Sequence, residues 1–326
     1  MGTLPRLFLS RPLPEPALGL LAGKVELSAG PATGAVTRES FLAGAQDADA
    51  VVSLLSDRID AELFARCPRL KVVSNYAVGF NNMDLAAADA AGVWLTNTPD
   101  VVTDATAECA FGLMLAAARR IPEAEQALRA GRWEGWTPTH FLGLQLEGAT
   151  LGIVGLGRIG RAVASRALAF KMKVIAADPH RSPELEAQGI EPVGFEELLR
   201  RSDVVTLHCP LLPETRHLVD ARALSLMKPG AILVNTARGP IVDEGALAEA
   251  LHAGKLGAAG LDVYEEEPRV HPRLLSAPRA VLAPHLGTST VRTRLAQAEK
   301  ALGDVLLVLA GGPPRNPVNR PPSPRR

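Results

Sequence analysis

"ATLGIVGLGRIGRAVASRALAFKMKVIAADP", residues 149–179, decides the fold of this 326-residue chain. An apolar strand runs into Gly155, Gly157 and Gly160, an Ala-rich helix follows, and a second apolar strand ends at Asp178. Glycines alone mark any turn, but within a strand, turn, helix and strand of about 30 residues each acquires a mechanical task. The first permits the tight turn, the second lets the backbone approach a pyrophosphate, and the third lets helix and strand pack closely. A helix beginning at Arg158 and Ile159 directs unpaired N–H groups and a positive dipole end at phosphates. A carboxylate at Asp178 hydrogen-bonds ribose hydroxyls and repels a 2′-phosphate, so the turn is predicted to prefer NAD(H). NADP(H) stays possible, because Arg181 can soften that preference.

Outward from this unit, short apolar runs alternate with segments of helical period, the pattern of βαβ units around parallel sheets. "RLFLS", "AVVSLL", "KVVSN" and "VWLTN" read as strands of a first, smaller α/β region. Pro99 and Asp100 start a long apolar helix that ends near Pro122. A stronger α/β series then runs from Thr150 through "DVVTLHCP", "AILVNTA", "GAAGLDV" and "AVLAP". The segment "TSTVRTRLAQAEKALGDVLLVLAGG" reads as one helix from a hydroxyl-rich cap to Gly311 and Gly312. The Pro-rich tail after it is expected to be extended or disordered.

Composition narrows the function classes. Thirty-five basic and thirty-five acidic residues cancel, so no long-range field favours nucleic acid or an anionic membrane. The three cysteines have no metal-ligand or disulfide spacing, which fits a reducing cytosol. The N-terminus has too short an apolar run for a signal peptide, and Arg6 stands where a myristoylation motif needs Ser or Thr. No run reaches the roughly 20 apolar residues of a membrane span. His140, His180, His208, His217, His252 and His271 carry no assigned chemistry.

Charged residues recur at strand ends, where open α/β sheets bind ligands. Arg238 follows "AILVNTA", Asp262 and the run Glu265 to Glu267 follow "GAAGL", and His285 follows "AVLAP". Reducing a 2-oxo acid requires a held carboxylate, a polarised carbonyl and a proton for the developing alkoxide. An Arg fork grips carboxylate and carbonyl in one plane. A His beside a carboxylate is a competent acid near neutrality. The sequence does not choose among the three glutamates.

"GLGRIG", "NTARGPIVDEGAL", "GLDVYEEEP" and "APHLGTST" resemble, in order, the signatures of the D-isomer-specific 2-hydroxyacid dehydrogenases, in particular the glyoxylate/hydroxypyruvate reductase branch. "VVSLLSDRID", "SNYAVGFNNMDL" and "TNTPDVVTDATAE" resemble that family's substrate domain. The resemblance implies two Rossmann- or flavodoxin-like doubly wound domains with a cleft between them. Residues 1–99 and 286–326 would form a discontinuous substrate-binding domain, and residues 100–285 the NAD-binding domain. It implies Arg238 as carboxylate and carbonyl binder, Glu267 as partner of His285, and His285 as proton donor. Asp262 is expected to reach the nicotinamide carboxamide. Cys209, Pro210, Thr215, Thr236, Ala237 and Gly287 are expected to line the cofactor, and Leu54, Val78 and Gly79 the substrate, the last two through backbone N–H groups.

By the same resemblance, Trp136 in "GRWEGWTPTHFLG" reaches a neighbouring subunit's site, which predicts a homodimer. A D-3-phosphoglycerate dehydrogenase should carry a basic residue near residues 53–56 or 74–79, and often a further regulatory domain. The stretches themselves are small, apolar or amide, with Arg58 close by, so a small unphosphorylated acid is expected. Glu267 in place of the glutamine of formate dehydrogenases favours carbonyl reduction. A non-catalytic NAD sensor, like the corepressor relatives of the family, is the alternative from another class.

Overall fold

The structure, a computed structural model, describes residues 3–180 and 183–325. Met1, Gly2 and Arg181, on which the acylation and cofactor expectations drew, lie outside the described residues, as do Ser182 and Arg326. The chain divides into two units, residues 1–102 with 289–326 and residues 103–288. The crossings thus fall after 102 and 288 rather than after 99 and 285.

In the first unit five strands, β1 (Arg6–Leu9), β2 (Glu26–Ala29), β3 (Ala50–Ser53), β4 (Val72–Asn75) and β5 (Trp94–Thr96), form a parallel sheet ordered β2-β1-β3-β4-β5. This is the flavodoxin order. Strands β3 and β4 are buried throughout, because helices cover both faces of a parallel sheet. Edge strand β2, "ELSA", is exposed at every position. Four residues with a single large apolar side chain, Leu27, give too little signal to mark it in the sequence. The helix Val291–Leu309 starts at Thr290, whose hydroxyl accepts the Thr293 N–H at 3.1 Å. It buries Ala298, Ala301, Leu302 and Val305 with Leu7, Leu9, Val52 and Val72.

The tail corrects one expectation: it is extended but held. Asp304, buried in that helix, accepts the Arg315 N–H and the Asn316 side chain at 2.7 and 2.8 Å. Pro317 bridges antiparallel to Thr96, and Asn319 bonds Leu95 N and Val93 O at 2.7 and 2.9 Å. Buried polar side chains, with Val318 packed on the core, order this segment, and a proline-rich composition carries no sign of such bonds.

In the second unit β6 (Thr150–Val154), β7 (Lys173–Ala177), β8 (Ile190–Pro192), β9 (Val204–Leu207), β10 (Ile232–Asn235), β11 (Ala258–Leu261) and β12 (Ala280–Leu282) form a parallel sheet. Its order is β12-β11-β10-β9-β6-β7-β8. Strand order reverses between β6 and β9, the place where such sheets bind dinucleotides. Leu151, Ile153, Ile232 and Val234 pack one apolar layer, and Val205, Leu207, Leu233 and Leu261 the opposite one. The helix Thr103–Ala118 ends before Pro122, at Arg120 in the left-handed region. Pro122 instead opens the next helix, Ile121–Arg129, where its missing N–H costs nothing. Among the described residues no helix is long and apolar enough to cross a membrane, and no cluster of His, Cys, Asp and Glu is set to hold a metal.

Candidate active site

Six neighbouring strands of the second sheet release the chain at one edge: glycine turn after β6, Asp178 after β7, Cys209 after β9, Arg238 after β10, Asp262 after β11 and His285 after β12. The glycines divide their tasks by steric room. Gly155 has φ +94, and a Cβ there would stand 2.6 Å from Cys209 N. The turn therefore packs directly on the His208–Cys209 backbone. At Gly160 a Cβ would stand 2.1 Å from Gly155 O, while at Gly157 nothing lies within 4 Å. The gap at Gly157 opens before the helix Arg158–Ala169, whose start carries no side-chain cap. Ile159 packs toward the core, whereas Arg158 is exposed.

Asp178 Oδ2 accepts the Leu156 N–H of the turn at 2.6 Å, and Oδ1 the His180 N–H at 2.8 Å. Thr215 closes its own loop, its hydroxyl bonding Pro210 O and accepting Leu212 N at 2.7 and 2.8 Å. Burial pushes the Cys209 thiol up to about 11, so its sulfur is a neutral wall. Thr236 is buried and its hydroxyl has no partner among the described residues. An uncapped helix start, a space that a Cβ at Gly157 would enter, and an orphaned hydroxyl fit a dinucleotide at this edge.

His285 lies with φ +56, a backbone that costs a non-glycine residue roughly 1–2 kcal/mol. Asp262 overdetermines it. Its carbonyl accepts the His285 N–H at 2.9 Å, and its carboxylate accepts the N–H groups of Leu286 and Gly287 at 2.5 and 2.7 Å. Burial pushes the Asp262 carboxyl above its ordinary value, against those bonds and the charge of His285. Asp262, expected at the nicotinamide, thus first serves to hold the histidine loop.

The imidazole Nδ1 meets Glu267 Oε2 at 2.8 Å, with both side chains about a third exposed. Among the described residues Nε2 has no hydrogen-bond partner. Burial raises Glu267, but the bond and charge of His285, the Tyr264 N–H and Arg238 outweigh it, holding the carboxyl below its ordinary value. The Arg238 guanidinium is lowered by burial, with Glu267 pulling the other way. One of its nitrogens donates to Ala237 O at 2.7 Å. Gly239 next to it is obligatory, because a Cβ would stand 1.9 Å from the Tyr264 carbonyl carbon.

The structure sorts the glutamates that the sequence could not. Glu265 bonds His217 Nε2 at 2.8 Å and caps Glu244 N at 2.9 Å. Glu266 pairs with exposed Arg269 at 3.0 Å. Only Glu267, of the three, bonds His285.

In the first unit Asn82 and Asn75 tie the ends of β3 and β4 together: Asn82 donates to Leu54 O at 3.1 Å and Asn75 to Gly79 O at 2.8 Å. Leu54, Val78 and Gly79 are half-buried on these loops. Arg58 pairs with Asp60 at 2.8 Å.

Residues 111–287 match the family described as D-isomer specific 2-hydroxyacid dehydrogenase, NAD binding domain. The glyoxylate reductase of Thermococcus litoralis is 44% identical over 321 residues, 97% of either chain. The chain belongs to the D-isomer specific 2-hydroxyacid dehydrogenases. A solved structure from Thermus thermophilus is similar to this dehydrogenase with a TM-score of 0.90 at 44% identity, covering 96% of this chain and 99% of that one. An NADPH-dependent glyoxylate/hydroxypyruvate reductase from Sinorhizobium meliloti, in complex with NADP and malonate, matches at 33% identity and TM-score 0.85, covering 99% of each chain. The protein is an NAD(P)-dependent oxidoreductase of two doubly wound domains.

For this dehydrogenase the resemblance singled out Arg238, Glu267 and His285, while what surrounds them was not foreseen: Asp262 holding the His285 loop, Gly239 packed on Tyr264, and Glu265 with His217 bracing the same loop. Trp136 stands 83% exposed in the irregular segment after the helix Ile121–Arg129.

Proposed function

We propose that the enzyme reduces small unphosphorylated 2-oxo acids, glyoxylate to glycolate and hydroxypyruvate to D-glycerate. The observation that carries this is the 2.8 Å contact of His285 Nδ1 with Glu267 at the edge of a dinucleotide-binding sheet. When bound, NADH supplies the hydride. Arg238 grips the carboxylate and polarises the carbonyl, raising its electrophilicity as negative charge develops on oxygen. His285 delivers its proton from Nε2 to that oxygen, while Glu267 fixes the ring and stabilises its charged form. The N–H groups of Val78 and Gly79 receive the substrate carboxylate, and Leu54 lines the site. Asp178 supports NADH over NADPH.

A phosphorylated acid is disfavoured, since Arg58, the nearest candidate for a phosphate, is paired with Asp60. Exposed Ile121, Leu128, Trp133, Trp136 and Leu142 supply an apolar surface for a homodimer. The free cysteines suit the cytoplasm. NADH oxidation is to be followed with glyoxylate, hydroxypyruvate, pyruvate and phosphohydroxypyruvate. Turnover with the first two supports the assignment; turnover with phosphohydroxypyruvate alone overturns it, and binding of NADH without any turnover points to a sensor.

A further inference from the structure

Three consecutive carbonyls of the loop after β4 are gripped from β4 and from the end of β5. Ala77 O accepts the Thr98 N–H at 2.9 Å, Val78 O accepts Asn97 Nδ2 at 2.7 Å, and Gly79 O accepts Asn75 Nδ2 at 2.8 Å. In a trans peptide the N–H points opposite to its carbonyl, and the one cis bond among the described residues is Glu267–Pro268. Gripping these carbonyls therefore turns the N–H group of Val78 away from Thr98 and those of Gly79 and Phe80 away from Asn97 and Asn75. Those three N–H groups have no hydrogen-bond partner among the described residues. Successive free N–H groups of this kind form an anion-binding concavity.

The two asparagines are themselves fixed. Asn75 is fully buried, and its Oδ1 accepts the Ser53 hydroxyl at 3.2 Å. Asn97 is 9% exposed, and its own N–H donates to Asn316 O of the tail at 3.3 Å. Neither side chain is directed by solvent, so each holds a peptide plane against rotation.

We propose that Asn97 and Asn75 are positioning residues which, with the Thr98 N–H holding the first peptide, aim a run of three N–H donors, the third being that of Phe80, at the carboxylate of the 2-oxo acid. This rests on reading Val78 and Gly79 as the carboxylate nest. An asparagine amide can donate to a carbonyl, whereas an aspartate in the same place offers only oxygen and repels it.

The test compares Asn97→Asp, and Asn97→Ala in case the charge prevents folding, with wild type, using glyoxylate as substrate and oxamate as inhibitor. The expected result is a rise of about tenfold in KM and in the oxamate inhibition constant, with kcat changed far less and NADH affinity by fluorescence unchanged. Phe80→Pro, which deletes an N–H that bonds nothing in the protein, should raise KM several-fold above Phe80→Ala, which keeps it. Folded variants with wild-type KM and oxamate inhibition overturn the positioning role, and equal KM values for the two Phe80 variants overturn the third donor. If wild type neither reduces a 2-oxo acid nor binds oxamate, it is the functional reading that fails.

Discussion

Asp262 spends both carboxylate oxygens on two successive N–H groups, ending with Gly287 at 2.7 Å. The loop they close contains His285 in its left-handed backbone, so the strain of the acid residue is balanced by one buried anion. Asp262→Ala frees one buried donor, Gly287 N, and one part-buried donor, Leu286 N, and should cost about 1–3 kcal/mol of stability by urea unfolding. It should also lower kcat in the fraction that folds. A folded variant with full kcat would show that the loop needs no anchor.

His285→Ala removes the proposed proton donor, and a loss of about 10²- to 10⁴-fold in kcat is expected with glyoxylate. Glu267→Gln keeps the bond to the ring but removes the negative charge. Its kcat should fall, because the ring keeps its bond but loses the anion opposite it. The measurement is a kcat/KM profile from pH 5 to 10; superimposable profiles would remove Glu267 from the proton transfer.

The glycine turn offers a separation of folding from cofactor binding. Gly157→Ala meets nothing in the protein, whereas Gly160→Ala drives a Cβ against Gly155 O at 2.1 Å. Melting temperature should hold in the first and drop by several degrees in the second. NADH affinity, by fluorescence quenching, should fall in the first although its fold is intact. A Gly157→Ala protein with unchanged affinity would mean that no phosphate comes close there.

Asp178→Ala removes the carboxylate proposed to meet the ribose and also frees Leu156 N. The ratio of kcat/KM with NADH to that with NADPH should fall by about tenfold or more, chiefly through KM for NADH. An unaltered ratio in steady-state kinetics with both cofactors would transfer cofactor choice to another residue.

Burial pushes the His208 imidazole down from 6.5 to about 4. Unfolded, it takes its proton near 6.5; folded, only near 4. The unfolded state thus binds more protons in this window, and stability falls as pH drops through it, by up to about 3 kcal/mol. Urea midpoints at pH 7, 5.5 and 4.5 should decline for wild type more steeply than for His208→Gln. Parallel declines would mean that other groups govern acid stability.

Much of this was readable beforehand because function here depends on strand ends, and strand ends are marked by abrupt changes of residue type. "GIVGLG" states a strand, a turn and a helix start, and Gly155, Gly157 and Gly160 kept their separate steric roles in three dimensions. Arg238 and His285 stood out because each follows an apolar strand within a few residues, at the strand end where a basic side chain has few structural reasons to be. Edge strand β2 was invisible, since an exposed edge needs neither alternation nor apolar content. What Asp262 holds was not legible: its partners are backbone N–H groups 24 and 25 residues away, and backbone donors carry no residue type. The same holds for Asn75 and Asn97, which act on carbonyls, and for the tail, where Asn319 replaces apolar contact with hydrogen bonds.

The first unit is made from both ends of the chain, and this sets an order of events during synthesis. Residues 103–288 are contiguous and can fold as soon as they leave the ribosome. The five-stranded sheet emerges earlier, yet Leu7, Leu9, Val52 and Val72 stay without their covering layer until the helix Val291–Leu309 arrives. Strand β5 likewise waits for Pro317 and Asn319 to occupy its free edge. The region begun first is therefore finished last, and its half-built sheet is the form of this protein most open to chaperones and to mispairing with another nascent chain.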